Sequence, residues 1–286
     1  MDQIEGIART ERRVALPRGG LHLVEAGAGP PIILLHGWPQ HGAMWDPLLG
    51  ELARDHRVLI PDLRGFGNSD APPGDYSKHA LARDVLDLLD ESQIDEATLV
   101  GHDWGGWIAW LLALEHPQRV DRFVALDIPP PWREPASPSR IPLQVLFGSY
   151  QYAIASPWLG ERLVRSPGFV TRFIRAGSGR AMRWSDERLD SYARPLREAA
   201  RARASVALYR TFLVRELPRI VRGAYTRSEL RVPGLALMGG DSAITRTFGL
   251  PARRALLEVE TVPRSGHFIV DEAPSAVLGH LQRFIS

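Results

Sequence analysis

One short stretch, Gly101-His102-Asp103-Trp104-Gly105-Gly106, limits what this chain can fold into more than any other. A mostly apolar run of strand length precedes it, and a helix-prone run rich in tryptophan and leucine follows it. The small residues Gly101 and Gly105 let a strand and a helix cross closely, which places Asp103 at the strained apex of a tight turn. A carboxylate at such an apex can attack a saturated carbon and form an ester. The stretch therefore predicts a nucleophilic aspartate in a hydrolase that acts on an sp³ carbon.

The composition excludes several classes of protein. With 286 residues and 44 % hydrophobic content the chain can bury a large core, and its net charge of +2 indicates neither a nucleic-acid nor an anionic-membrane partner. There is no cysteine, which excludes disulfides and thiol chemistry, and Lys78 is the only lysine. No apolar run approaches the roughly 20 residues that span a bilayer, and the N-terminus shows no basic segment followed by an apolar one. We expect a cytoplasmic enzyme that uses no metal and no cofactor.

Strand-like and helix-like runs alternate along most of the chain. The strand-like runs cover residues 14–16, 21–25, 31–35, 57–60, 97–100 and 122–126, and later 232–238 and 257–262. Helical patterns cover about residues 43–54, 77–89, 107–114 and 273–284. Such alternation implies a mostly parallel sheet with right-handed crossovers.

Residues 128–229 interrupt this alternation. They contain several helical patterns and no strand-like run, and they are dense in arginine and aromatic residues. A helical segment is thus inserted between two strands of one sheet. The predicted organisation is a core formed by residues 1–127 and 230–286, with residues 128–229 as the helical insertion.

An aspartyl ester is hydrolysed when a base activates water and an acid orients that base. His267 is the candidate base because it lies in a loop directly after a late strand and follows a glycine. Asp241 is the candidate acid because it comes just after the strand that ends at Met238. A carboxylate bound to one imidazole nitrogen fixes the tautomer and stabilises the imidazolium. The sequence therefore predicts a triad of Asp103, Asp241 and His267.

The same hydrolysis needs donors for the developing oxyanion. The candidates are the backbone N–H groups of Trp104, directly after the nucleophile, and of Trp38, in the loop after the third strand. Because hydrogen bonds to a carboxylate favour its charged form, we expect a low pKa for Asp103. We interpret His36 as a support of the Trp38 loop and His102 as a packing residue of the elbow.

Four motifs, His36–Pro39, Asp62–Ser69, Gly101–Gly106 and Ser265–Phe268, together resemble the α/β-hydrolase epoxide hydrolases. The resemblance covers nearly the whole chain. It implies the α/β class and the α/β-hydrolase fold, with a mostly parallel eight-stranded sheet and a helical cap inserted after the sixth strand. Four motifs in this order are specific for the superfamily. They do not fix the reaction, because haloalkane and fluoroacetate dehalogenases share the aspartate at the elbow.

In this family two tyrosines of the cap bind the epoxide oxygen and protonate it as the ring opens. The resemblance implies Tyr150, in a Tyr-Gln pair early in the cap, and Tyr209, in a Tyr-Arg pair late in it. Tyr152 and Tyr192 are alternatives. Together with the two tryptophans that supply the oxyanion donors, these tyrosines would line the substrate site.

The orienting acid has two candidates. In these hydrolases the usual spacing is a glycine, two further residues and then the acid, which runs here from Gly239 to Ser242. Asp241 therefore comes one position early. Asp127, after the preceding strand, is the alternative, because some relatives carry the acid there. We predict Asp241 and keep Asp127 open.

The leading hypothesis is an epoxide hydrolase that uses water to convert a small hydrophobic epoxide to a vicinal diol through an ester of Asp103. A haloalkane dehalogenase is the alternative, although Trp38 replaces the asparagine that often binds halide there. Three further tryptophans could supply halide donors, namely Trp132, Trp158 and Trp184. A non-catalytic ligand-binding protein of the same fold is the third hypothesis. The identity of the epoxide, the stereochemistry and the oligomeric state stay open, a homodimer included.

Overall fold

A single sheet forms the centre of the molecule, for which a computed structural model describes residues 2–4, 7–132 and 141–286. Its strands are β1 (Asp2–Ile4), β2 (Ile7–Val14), β3 (Leu21–Ala26), β4 (Pro31–Leu35), β5 (Arg57–Pro61), β6 (Ala97–His102), β7 (Val120–Leu126), β8 (Gly234–Gly239) and β9 (Leu257–Val262). Their order in the sheet is β1-β2-β3-β5-β4-β6-β7-β8-β9. The pairs β1–β2, β2–β3 and β3–β5 are antiparallel, and the remaining pairs are parallel. The predicted mostly parallel sheet is confirmed, and the described residues add one short edge strand, β1, to the eight that were predicted.

The bounds of one predicted strand, residues 14–16, are wrong. Strand β2 ends at Val14 and extends back to Ile7, so that Arg9 pairs with Ala26 and Val14 with Leu21. Half of the β2 residues are charged, and Glu11, Arg12 and Arg13 are exposed, which is typical of a strand near a sheet edge, where charge prevents pairing with another chain. Its polar sequence therefore concealed it from a search for apolar runs.

Helices cover both faces of the parallel strands, and for this reason β6 and β8 are buried along their whole length. The core helices are α1 (Asp46–Leu52), α2 (Lys78–Glu91), α3 (Trp104–Glu115), α10 (Ala243–Phe248), α11 (Ile269–Glu272) and α12 (Pro274–Ile285). A 3₁₀ turn, Gly42–Trp45, takes up the start of the predicted first helix. Helix α2 begins directly after Ser77, whose hydroxyl accepts a hydrogen bond from the N–H of Ala80 as an N-cap.

Between β7 and β8 the described residues form helices and no strand, as predicted. The helices are α4 (Ile141–Ala155), α5 (Gly160–Arg165), α6 (Phe169–Gly177), α7 (Asp186–Leu196), α8 (Ala199–Thr211) and α9 (Leu217–Val221). A π-helical turn, Phe212–Glu216, joins α8 to α9. The bounds 128 and 229 of the insertion stay a prediction, and residues 133–140 lie outside the described part. Among the helices that are described, none is long and apolar enough to cross a membrane.

The strand β6 and the helix α3 cross at contact distance. A Cβ atom on Gly101 would lie 2.2 Å from the carbonyl oxygen of Gly105, and a Cβ atom on Gly105 would lie 2.3 Å from the carbonyl oxygen of Leu35. Both distances are far below van der Waals contact, and the opposing atoms are backbone atoms that cannot rotate away. Only glycine fits at these two positions, which explains the spacing of small residues around Asp103.

We expect the substitution Gly101→Ala to lower the free energy of unfolding by about 3 kcal/mol or more, the upper end of the cost of overpacking a core. The matched control is Gly279→Ala in α12, where an added Cβ meets no atom within 4 Å. That control should raise stability by up to about 1 kcal/mol, because alanine is the better helix former. Urea unfolding followed by circular dichroism measures both changes. Equal stability of the two variants would contradict the crossing geometry.

Candidate active site

Asp103 lies at the turn from β6 to α3 with a φ of 50° and a ψ of −121°. A positive φ is unfavourable for a residue with a side chain, and it persists here because the strand and helix on either side fix the turn. Gly37 closes over the carboxylate, since a Cβ on Gly37 would lie 2.4 Å from the Cβ of Asp103. The Asp103 residue is 8 % exposed. The predicted strained elbow is therefore present, with a nearly buried carboxylate at its apex.

Backbone donors converge on this carboxylate. The N–H of Trp38 donates to Asp103 Oδ2 over 3.0 Å. Burial raises the pKa of Asp103, and the N–H groups of Trp38 and Trp104 together with nearby His267 offset this only in part. The predicted low pKa is thus wrong in direction, because the sequence shows the donors but not the depth of burial.

His36 stabilises the loop that carries Trp38. Its Nε2 accepts a hydrogen bond from the N–H of Leu63 over 2.8 Å, and its Nδ1 donates to the carbonyl of Gly37 over 3.0 Å. Burial lowers the pKa of His36 to about 4, so the ring is neutral and keeps this tautomer. The interpretation of His36 as a support of the loop is confirmed.

His267 faces Asp103 from the loop between β9 and α11. Its Nε2 lies 4.0 Å from Asp103 Oδ1, and its Nδ1 lies 2.7 Å from Asp127 Oδ2. Burial alone would lower the pKa of His267, but the hydrogen bond and the charge of Asp127 outweigh it, and the pKa is raised. His102 packs beside this ring, and its Nε2 donates to the carbonyl of His267 over 2.8 Å. The elbow and the histidine loop are therefore directly connected.

The carboxylate on His267 belongs to Asp127 and not to Asp241, so the prediction of Asp241 is wrong. Asp127 directly follows β7 and is fully buried, and it also accepts hydrogen bonds from the N–H of Gly239 and from Ser242 Oγ. Asp241 is exposed, and its N–H donates to the carbonyl of Ser265. The position expected for the acid after β8 is occupied by Ser242, which donates over 2.6 Å to the carboxylate supplied by the neighbouring strand.

The two predicted tyrosines come together above the elbow. Tyr209, on α8, is buried between the rings of Trp38 and Trp104, with centroids 5.3 Å and 5.7 Å away. Tyr150, on α4, meets Tyr209 edge to face at 5.9 Å. Burial raises the pKa of both phenols, and the negative charge of Asp103 raises it further. Both phenols therefore stay protonated at neutral pH.

The two alternative tyrosines lie elsewhere. Tyr152 is 62 % exposed, and the hydroxyl of Tyr192 donates to the carboxylate of Asp271 over 3.0 Å. Neither phenol contacts the elbow. The geometry thus favours Tyr150 and Tyr209 as the pair that faces Asp103.

One residue that holds the histidine loop escaped the sequence analysis. The carboxylate of Glu272 accepts hydrogen bonds from the N–H groups of Gly266 and Phe268, on either side of His267, and from Gly179 in the helical insertion. The N–H of His267 in turn donates to the carbonyl of Gly177 over 2.8 Å. The sequence feature that could have indicated this role is an acidic residue that follows the histidine within a few positions in a mostly apolar segment. Within the described ranges, no three or more His, Cys, Asp or Glu side chains gather in a way that could hold a metal ion.

Comparison with known proteins agrees with this fold. A family described as the alpha/beta hydrolase fold matches residues 30–274. The chain belongs to the α/β-hydrolase family. It is 28 % identical to the soluble epoxide hydrolase of Corynebacterium sp. (strain C12), over 93 % of each chain, and 29 % identical to epoxide hydrolase 3 of Siraitia grosvenorii, over 100 % of this chain and 99 % of that one. The solved structure of the epoxide hydrolase CorEH matches with a TM-score of 0.83 at 26 % identity, over 97 % of this chain and 98 % of that one.

In this α/β hydrolase the histidine titration distinguishes the two acids. Asp127→Asn removes the hydrogen-bonded charge that raises the pKa of His267, so we expect that pKa to fall, because burial, which lowers it, is then opposed only by the charges of Asp103 and Glu272. Asp241→Asn should leave the titration unchanged. The measurement is an NMR titration of ¹³C-labelled histidine, with the His267 signal assigned by its loss in His267→Gln. A shift caused by Asp241→Asn alone would contradict the geometry.

Proposed function

We propose that this α/β hydrolase is an epoxide hydrolase, in which Asp103 forms an ester with one carbon of the epoxide ring. The observation that carries the proposal is the arrangement around Asp103. Two protonated phenols, Tyr150 and Tyr209, lie close enough to Asp103 for its charge to raise their pKa. The ring of His267, which is paired with the buried carboxylate of Asp127, lies 4.0 Å from the Asp103 carboxylate. The similarity to proteins named epoxide hydrolases along nearly the whole chain supports the same reaction.

In the first step, an oxygen of Asp103 forms a bond to a ring carbon and the bond from that carbon to the epoxide oxygen breaks. Oδ2 accepts a hydrogen bond from the N–H of Trp38, which leaves Oδ1 as the attacking atom. The electron pair of the broken bond moves to the epoxide oxygen, which takes a proton from Tyr150 or Tyr209. This step needs a proton donor beside the departing oxygen. We assign this role to the two tyrosines of the helical insertion, which thus acts as a cap over the site.

In the second step, His267 takes a proton from water, and the resulting hydroxide attacks the carbonyl carbon of the ester. The N–H groups of Trp38 and Trp104 stabilise the oxyanion, and Asp127 stabilises the imidazolium. The tetrahedral intermediate then collapses, and the departing alkoxide of the diol takes the proton from His267. The carboxylic acid left on Asp103 returns its proton to the tyrosine. Epoxide and water are thus converted to one diol, and the enzyme is restored.

The substrate class follows from the walls of the site. Trp38, Trp104, Phe173 and Phe212 surround the two tyrosines with aromatic surface. The residue that directly follows the nucleophile is Trp104 and not a basic residue. The site therefore offers little to a substrate carboxylate. A hydrophobic epoxide fits this environment best.

One observation favours dehalogenation as a second candidate. The buried Nε1 of Trp104 has no hydrogen-bond partner in the described part of the chain, and such a donor suits a halide ion. A buried anion needs several donors, however, because its desolvation is costly. Trp38 and the three tryptophans named as possible halide donors are unsuited to this role: Trp38 Nε1 donates to Ser205, Trp184 Nε1 donates to Ser178, Trp132 packs between Trp110 and Arg254, and Trp158 is 82 % exposed. Of these five indole groups only that of Trp104 is left as a halide donor, which favours the epoxide.

The test of the proposal is the double substitution Tyr150→Phe/Tyr209→Phe. Each change removes a proton donor and keeps the ring volume, and general-acid assistance is worth roughly 10²–10⁴-fold. We expect each single variant to slow ester formation moderately, because one phenol partly replaces the other, and the double variant nearly to abolish it. Rapid mixing of enzyme with an aromatic epoxide, followed by acid quenching and intact-protein mass spectrometry, measures the rate of ester formation.

Two controls accompany this test. Tyr152→Phe, at an exposed ring, should leave the rate unchanged. Release of bromide from a bromoalkane should be slow in the unmodified enzyme. Near-normal ester formation in the double variant would remove both tyrosines from the mechanism, and rapid bromide release without epoxide turnover would assign the chain to the dehalogenases instead.

A further inference from the structure

Lys78, the only lysine of the chain, is fully buried at the start of α2. Its Nζ lies 2.8 Å from Glu216 Oε2, and its backbone N–H donates to Glu216 Oε1 over 2.7 Å. Glu216 ends the π-helical turn of the insertion. The ion pair therefore joins the core to the helical segment above the active site.

The Lys78 ammonium contacts the immediate neighbours of two proposed catalytic residues. Its Nζ donates to the carbonyl oxygen of Leu208 over 3.0 Å, and Leu208 directly precedes Tyr209. The same Nζ lies 4.3 Å from the ring centroid of Trp104, which directly follows Asp103. One cation thus contacts the residue next to the cap phenol and the residue next to the nucleophile.

Stability does not explain a charge in this position. Burial lowers the pKa of Lys78, and the charge of Glu216 only partly restores it. Replacing a buried ion pair by apolar groups is often neutral or stabilising, so the pair adds little to the free energy of folding. The ion pair instead restricts geometry. An ammonium group that lies over an indole ring and binds both a carbonyl and a carboxylate can occupy only a narrow range of positions.

The local helix geometry points the same way. Helix α8 continues into the π turn Phe212–Glu216, and π turns inside helices are frequent at functional sites. Phe212 packs on Trp104 with centroids 4.9 Å apart, and Glu216 reaches Lys78 from the far end of the turn. The irregular turn therefore delivers both an aromatic side chain and a carboxylate to the wall formed by Trp104.

We propose that Lys78 is a positioning residue, which fixes the Tyr209 phenol relative to Asp103 by holding Leu208 and Trp104 together. This inference rests on the epoxide hydrolase function proposed above. Lys78 does not touch the substrate in this account. It acts on the first step, because Tyr209 protonates the departing oxygen in that step.

The main test variant is Lys78→Met/Glu216→Gln. It removes both charges together, so that neither is left buried without its partner, and the glutamine keeps an acceptor for the N–H of residue 78. His79, which also lies 3.6 Å from Glu216, keeps Glu115 as a partner. The matched control is Arg188→Met/Asp271→Asn, which removes another ion pair between the insertion and the core. This pair is 2.8 Å long, and both of its residues are distant from Tyr209 in the sequence. All variants carry His267→Gln, so that the ester accumulates and its rate of formation from an aromatic epoxide is measured directly by mass spectrometry.

We expect Lys78→Met/Glu216→Gln to slow ester formation by roughly 10- to 100-fold, the effect of a displacement of about 1 Å in a catalytic group. The control should stay within about threefold of the parent, the additive range of an independent site. Combining the test variant with Tyr209→Phe should slow the reaction no further than Tyr209→Phe alone, because both changes remove the same interaction. Multiplying effects would show that Lys78 acts by another route and would overturn the proposal.

A second measurement does not depend on turnover. With 3-fluorotyrosine at position 209, the ¹⁹F resonance should shift or broaden in Lys78→Met/Glu216→Gln and stay in place in the Arg188→Met/Asp271→Asn control. An unchanged resonance in the test variant would overturn the positioning role. Lys78→Gln/Glu216→Gln is the milder variant should the first double change prevent folding, because the two amides can hydrogen-bond to each other, and a smaller shift in the same direction is expected from it.

The two proposals fail in different ways. If no epoxide forms an ester with the parent His267→Gln protein, the proposed function is wrong, and the ¹⁹F measurement still decides whether Lys78 positions Tyr209. If the ester forms at equal rates in the parent and in Lys78→Met/Glu216→Gln, the function stands and the role of Lys78 is refuted.

Discussion

The close crossing of β6 and α3 is the constraint on which the rest of the structure depends. Because Gly101 and Gly105 bring backbone atoms into contact, the turn between them has no freedom, and Asp103 is forced to a positive φ. This places its carboxylate under the N–H of Trp38 and opposite the ring of His267. A wider crossing would let the turn relax, and the carboxylate would lose both partners.

The helical insertion completes the site instead of merely covering it. His267 is held by contacts with Gly177 and, through Glu272, with Gly179, both of which belong to the insertion. Trp38 Nε1 donates to Ser205 in the same segment. The proposed base and one proposed oxyanion donor therefore depend on how the insertion sits on the core. Substitutions at these contacts should affect catalysis at a distance from the substrate.

The sequence predicts those features that depend on local spacing. The elbow, the histidine loop and the Trp38 loop each lie within a few residues whose order dictates their shape, and the structure places all three as expected. The aspartate that binds the imidazole of His267 could not be predicted in this way, because the loops after two adjacent parallel strands both reach that imidazole. Which of them carries the carboxylate depends on distances of a few ångströms, and Ser242 at the end of β8 decides it by donating to Asp127. The roles of Glu272 and Lys78 were also invisible, since each contacts residues that are remote in the sequence.

The covalent ester on Asp103 is the central claim, and trapping it is the most direct test. In His267→Gln, which lacks the base for the second step, a panel of aromatic and aliphatic epoxides should increase the intact mass of the protein by the mass of one epoxide. Digestion should place the adduct on the peptide that contains Asp103, and Asp103→Asn in the same background should abolish it. Diol formation by the unmodified enzyme, with no adduct in His267→Gln under the same conditions, would mean that water attacks the epoxide directly and would contradict the account.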